Sequence, residues 1–281
     1  MKQFIILIFI ITIMGCSTSY PVVIGETPVL IDRKTAVLSN IPMEYINRAK
    51  QDLVIAYGHT SHGSQLITGM DGLTDFAGSD YAFGAYPDDT LLTLYDTPFS
   101  GAYDLGNPNR TAWADATRDY LDNHSSINVV VWSWCGQVSD ASEEDIEMYL
   151  TLMNNLEYEY PDIMFVYMTG HLDGSGKDGN LHLRNEQIRD YCIANNKVLY
   201  DFADIESYDP DGNYYLDRYC NDNCDFDSNG DGVRDSNWAI AWQNNNPGDW
   251  YECPAAHTQP LNANLKAYAA WHLWARLAGW E

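Results

Sequence analysis

Positive charge is scarce in this sequence. Of 281 residues only 15 are Lys or Arg, against 40 Asp or Glu, and the formal net charge is −25. Phosphate backbones and anionic headgroups repel such a chain, which excludes nucleic acid as a partner. The apolar run that opens the chain, residues 4–14, falls short of the roughly 20 residues a membrane-spanning helix needs. What the chain does have is apolar and aromatic: 46% hydrophobic residues, with 20 Tyr and 9 Trp, which excludes a disordered acidic tail. The length suits one large domain or two small ones.

A basic start, a short apolar stretch and then Ile13-Met14-Gly15-Cys16 read as an export signal. These last four residues resemble a bacterial lipobox. That resemblance implies a signal peptide over residues 1–15, acylation of Cys16, a tether over 16–40 and a place in the cell envelope, with the membrane touched only through the lipid. Cys135, Cys192, Cys220, Cys224 and Cys253 remain, an odd number. An exported chain permits a disulfide between Cys220 and Cys224, with Cys253 able to compete for either.

Continuous apolar runs of strand length occur at 53–57, 129–134, 164–168 and 198–202. Runs without polar alternation suit strands covered on both faces, as in a parallel sheet. Helical spacing lies between them: Ser142 ahead of an acidic first turn and Ile146, Tyr149, Leu150, Met153 and Leu156; then 184–195; then 261–277. The alternation predicts a three-layer α/β fold with a mostly parallel, flavodoxin-like sheet and helices on both faces. Residues 41–281 form the domain. Two stretches break the rhythm: 72–108, predicted to be irregular, and 208–253, an acidic insertion.

Ligands of open parallel sheets bind beyond the carboxyl ends of the strands. Following the runs in turn are Gly58-His59-Thr60-Ser61-His62-Gly63, Cys135-Gly136-Gln137, Thr169-Gly170-His171-Leu172-Asp173 and Asp204, while His257 precedes the last helix. Four of the seven histidines therefore fall on one edge. Ser61 sits at a tight turn into a helix, where the helix dipole favours negative charge, and His257 is its candidate base.

A nucleophilic Ser after the first of these strands and a His shortly before the last helix resemble the SGNH/GDSL-type hydrolases. The likeness covers roughly residues 53–277 in order and spacing. It implies an α/β esterase with Ser61 as nucleophile (Thr60 or Ser64 as alternates), His257 as base, and Gly106 and Gln137 as oxyanion donors. His59 and His171 join them at the substrate edge. The family's acid stands three residues before the His, and here that position is Pro254. Asp204 or Asp173 then orients His257, or a Ser–His dyad works alone. Two other readings compete: a zinc hydrolase built on His59, His62, His171 and Asp173, and a non-catalytic glycan-binding lipoprotein.

The insertion carries Asp227-x-Asn229-x-Asp231-Gly232-Val233-x-Asp235. Oxygen ligands at positions 1, 3, 5, 7 and 9 around a Gly at 6 match the start of an EF-hand loop and resemble thrombospondin type 3 repeats. The usual Glu at position 12 is Trp238. Residues 201–235 hold eleven acids against Arg218 and Arg234, a net of −9, which a bound Ca²⁺ would relieve. The expectation is an exported serine esterase with a structural Ca²⁺ and no organic cofactor. It removes acyl groups from a carbohydrate that stacks on Trp238, Trp242, Trp250 and Tyr251.

Overall fold

The structure, a computed structural model, describes residues 27–88 and 90–281. The signal peptide and Cys16 lie outside the described residues. The strands are β1 (Val29–Ile31), β2 (Val54–Gly58), β3 (Phe83–Gly84), β4 (Leu92–Asp96), β5 (Val129–Trp132), β6 (Met164–Met168) and β7 (Val198–Tyr200). They form one seven-stranded sheet in the order β1-β7-β6-β5-β2-β4-β3, and every neighbouring pair is parallel. The helices are α1 (Met43–Asp52), α2 (Ser64–Ala77), α3 (Ala112–Leu121), α4 (Glu143–Glu159), α5 (Asn180–Ala194), α6 (Phe202–Glu206), α7 (Trp238–Asn245) and α8 (Pro260–Leu277).

The uninterrupted apolar runs now have their reason. Alternate residues of each inner strand enter two separate cores: Val129 and Val131 of β5 join one, and Val130 and Trp132 the other. The first core is closed by α1, α2 and α8, the second by α3, α4 and α5. This is the three-layer α/β arrangement that the alternation predicts. Ser142 caps α4 in a reciprocal box: its hydroxyl accepts from Asp145 N at 3.1 Å, and its own N–H donates to the Asp145 carboxylate at 2.9 Å.

Three stretches differ from the sequence reading. The tether over 16–40 contributes β1, which pairs with β7 as an edge strand. Residues 72–108, expected to be irregular, contain the end of α2 and both β3 and β4. These strands are short and lie among Gly, Pro and Asp, so no long apolar run marks them. The insertion forms a hairpin, β8 (Asp225–Phe226) with β9 (Ser236–Asn237), followed by α7.

Within the sheet, β4, β2, β5, β6 and β7 lie side by side in the flavodoxin-like order, with β5 at the centre and β2 next to it. The chain runs outward from β2 to β4, then crosses back to β5 on the other side. The reversal opens a crevice between the carboxyl ends of β2 and β5, where ligands of such sheets bind.

Candidate active site

Two loops meet at this crevice. The turn after β2 is tight because Gly63 has no side chain: a Cβ there would collide with Ser133 Oγ and with the His59 side chain. The buried Tyr57 hydroxyl donates to the Gly63 carbonyl at 2.9 Å and holds the turn down. His62 is thereby turned inward, at 7% exposure. Cys135 arrives from the end of β5, half-buried.

His62 lies between a thiol and a carboxylate. Its Nδ1 is 3.2 Å from Cys135 Sγ, and its Nε2 is 3.0 Å from Asp222 Oδ2. Burial pushes the His62 imidazole down, but the hydrogen bonds to Asp222 and Cys135 outweigh it and raise the pKa to about 9. The bond to His62 draws the Cys135 thiol down to about 7, against the opposing effect of burial. Burial also opposes ionisation of Asp222, yet the His62 bond holds it below the usual carboxylate range. Asp222 comes from the acidic insertion, docked by a backbone bridge between Asn221 and Asp173 next to His171.

Three imidazoles form a stack. His171 lies on one side of His62, with ring centroids 3.6 Å apart and planes at 3°, and His257 on the other at 4.5 Å. The nitrogen or oxygen atoms of His62, His171 and Asp222 come within 4.8 Å of one another. Ring lone pairs lie in the ring plane, however, and nearly parallel planes do not aim two of them at one ion about 2.0–2.1 Å away. The arrangement suits a hydrogen-bonded relay better than a zinc centre. Of the set expected for zinc, His59 is elsewhere, its ring nitrogens facing Asp96 at 2.6 Å and the Thr60 carbonyl at 2.9 Å. The Asp173 carboxylate accepts from Ser175 N.

Beneath the stack runs a fully buried charged network. Lys266 and Glu206 are both at 0% exposure and pair at 2.6 Å. Glu206 also accepts from Leu172 N at 2.7 Å, beside His171. Lys266 donates to Gln65, whose amide donates to the Ala256 carbonyl at 2.5 Å, beside His257. One ion pair thus ties down the loops carrying two of the stacked histidines and the helix that follows the third.

The SGNH-like assignment meets this geometry unevenly. Ser61 Oγ lies 3.6 Å from Cys135 Sγ, so Ser61 is at the site. His257, exposed and at φ 64°, stacks on His62. Among the hydrogen bonds of the described residues, none joins His257 to Ser61. Asp204 does not orient His257: its carboxylate accepts from Arg33 N at 3.0 Å, and burial and Asp201 raise its pKa to about 6. The expected oxyanion donors are already engaged. Gly106 N–H and the Gln137 amide both donate to Asp104 Oδ1, at 2.8 and 3.1 Å, and Gln137 Oε1 accepts from Cys135 N at 3.0 Å. Sequence reasoning did not bring Cys135 and Asp222 together with His62. The first was visible as a Cys at a strand's carboxyl end. The second, about 160 residues from its partner, carried no local signal.

The loop 227–235 spans the β8–β9 hairpin. Asp227 accepts from Asn229, Gly230 and Gly232 N–H groups, Asn229 from Asp231 N, and Asp231 from Val233 N. Asp235 accepts from Ser228. These N–H bonds hold the Asp227 and Asp235 carboxyls below their ordinary range. Trp238 and Tyr251 are buried, and Trp242 and Trp250 pack against the same core, so the insertion's aromatics serve its own packing. Cys220 and Cys224 stand as buried thiols. Compared with protein-family models the chain finds no match, and it finds none among curated proteins.

Proposed function

We propose that this chain is an exported acyl hydrolase, a divergent relative of the SGNH/GDSL-type esterases, in which the nucleophile is Cys135. The observation that carries this reading is the continuous contact Cys135 Sγ–His62 Nδ1, His62 Nε2–Asp222 Oδ2, at 3.2 and 3.0 Å. A nucleophile, a base and a group that orients the base stand here in the required order. The thiolate attacks the ester carbonyl carbon. As the tetrahedral adduct collapses, the imidazolium of His62 gives its proton to the leaving alkoxide, and a thioester to Cys135 remains. Water then releases the acid and restores the thiolate. Asp222 keeps the imidazole in orientation and balances its charge.

A sugar is the proposed alcohol part. Beside His59 lies a cavity of about 530 Å³ lined by Phe99, Tyr103 and Trp132, and the Tyr103 ring is 67% exposed. Exposed rings of this kind stack on sugar faces. Lipid anchoring at Cys16 and Ca²⁺ in the loop 227–235 complete the proposal; removing Ca²⁺ with EDTA is expected to lower the melting temperature, and an unchanged melting curve speaks against the ion.

The test is hydrolysis of p-nitrophenyl acetate by the purified protein and single-site variants. Cys135→Ala and His62→Ala are expected to abolish turnover, while Ser61→Ala retains most of it. Activity lost in Ser61→Ala and kept in Cys135→Ala would return the nucleophile to the serine.

A further inference from the structure

The thiol mechanism leaves one buried group of the site without a task. His171 is 8% exposed. Its Nδ1 lies 2.8 Å from the Leu172 carbonyl, which only accepts, so that nitrogen carries the proton and Nε2 presents a lone pair. Nε2 is buried and has no hydrogen-bond partner among the described residues. It faces the backbone just past the nucleophile: a Cβ placed on Gly136 would lie 4.0 Å from it. A buried acceptor left unpaired is costly, and the space kept open by Gly136 is where a donor would meet it.

We infer that His171 Nε2 accepts the proton of the water that hydrolyses the acyl-Cys135 intermediate, an assignment that rests on the thiol mechanism above. The two stacked rings have opposite surroundings. His62 faces Cys135 with one nitrogen and Asp222 with the other, which keeps it a proton donor in the resting site. His171 faces a backbone carbonyl, and the Glu206 carboxylate fixes its loop through Leu172 N. Burial pushes His171 down, and the neighbouring His62 adds to that. Rings 3.6 Å apart do not both hold a positive charge readily, so one is the acid and the other the base.

In the hydrolytic step the water oxygen bonds to the thioester carbonyl carbon and its proton passes to His171 Nε2. Collapse breaks the C–S bond, and sulfur leaves with the electron pair as thiolate. The carboxylic acid product gives its own proton to solvent. The proton on His171 returns through solvent to His62, which had lost one to the leaving alcohol. Every charge of the resting site is then restored.

The experiment is rapid-mixing hydrolysis of p-nitrophenyl acetate, with intact-mass detection of acetylated Cys135. His171→Phe keeps an aromatic ring against His62 and removes the acceptor. The burst is expected to stay within about threefold of the unsubstituted protein while steady-state turnover falls on the order of 10²-fold. Acetyl-Cys135 accumulates, and added imidazole speeds its loss. His171→Gln, whose amide oxygen can accept a hydrogen bond from the water but cannot take its proton, is expected to keep the burst and lose turnover in the same way, and serves as the reading if the Phe variant does not fold. Burst and turnover falling together, or neither falling, overturns the role of His171. Failure of the unsubstituted protein to acetylate Cys135 overturns the thiol mechanism itself and the role of His171 with it.

Discussion

Against α3, α4 and α5 the sheet packs rings and branched side chains, with Trp113, Trp132, Tyr149 and Tyr167 meeting at tilted or edge-on angles. Against α2, α6 and α8 the same sheet covers the Lys266–Glu206 pair together with Gln65, Asn262 and Asn264, each at 0% exposure. Burying a charge pair is seldom the cheapest way to close a core, since desolvation offsets much of the attraction. The polar face is the one whose α2 follows the His62 turn and whose α8 follows the His257 loop. There, part of the stability that an apolar core would give is exchanged for fixed loops. The other face contributes mainly packing, with Asn185 of α5 also holding the His171 loop through the Gly170 backbone at 2.8 and 3.1 Å.

That contrast can be broken at several points. Asp222→Asn should lower esterase turnover by about 10²–10⁴-fold, because the imidazole loses the carboxylate that orients it. Asp204→Asn, whose carboxylate is held by Arg33, should leave turnover within about threefold; equal losses in the two variants would contradict the placement of the acid. Lys266→Met leaves Glu206 buried and unpaired, with an expected loss of about 3–5 kcal/mol of stability, read from denaturant unfolding. The double change with Glu206→Met should recover most of that stability but not the turnover, if the network exists to hold the loops. On the other face, Leu156→Ala should cost about 2–5 kcal/mol through the cavity it leaves. The same variant, below its melting temperature, should keep the reactivity of Cys135 unchanged.

The layered fold was legible because inner strands buried on both sides need uninterrupted apolar residues, as in 129–132 and 164–168. The strand-to-loop rule placed His62, His171, Cys135 and His257 on one edge. Short edge strands were not legible: β1 and β3 have three and two residues and little pattern to show. The division of roles within the edge was also hidden. Ser61 and His62 are adjacent in sequence and both reach Cys135 Sγ, at 3.6 and 3.2 Å; that His62 also meets Asp222 depends on the turn that Gly63 and Tyr57 set together. Asp222 carried no signal of its own, lying in the insertion between Asn221 and Asn223. Its partner in space is set by the bridge from Asn221 to Asp173, a contact between distant segments.

The central claim is that Cys135 is ionised by His62, and the most direct measurement is the rate of Cys135 alkylation by iodoacetamide as a function of pH, followed by peptide mass. The His62 bond lowers the thiol to about 7, so the thiolate forms as pH rises through that value while His62, raised to about 9, stays protonated. The expected profile rises with a midpoint near pH 7 and moves up in His62→Ala toward the roughly 8.5 of a free cysteine. A midpoint at or above about 8.5 in the unsubstituted protein, or one that His62→Ala leaves in place, would contradict the account.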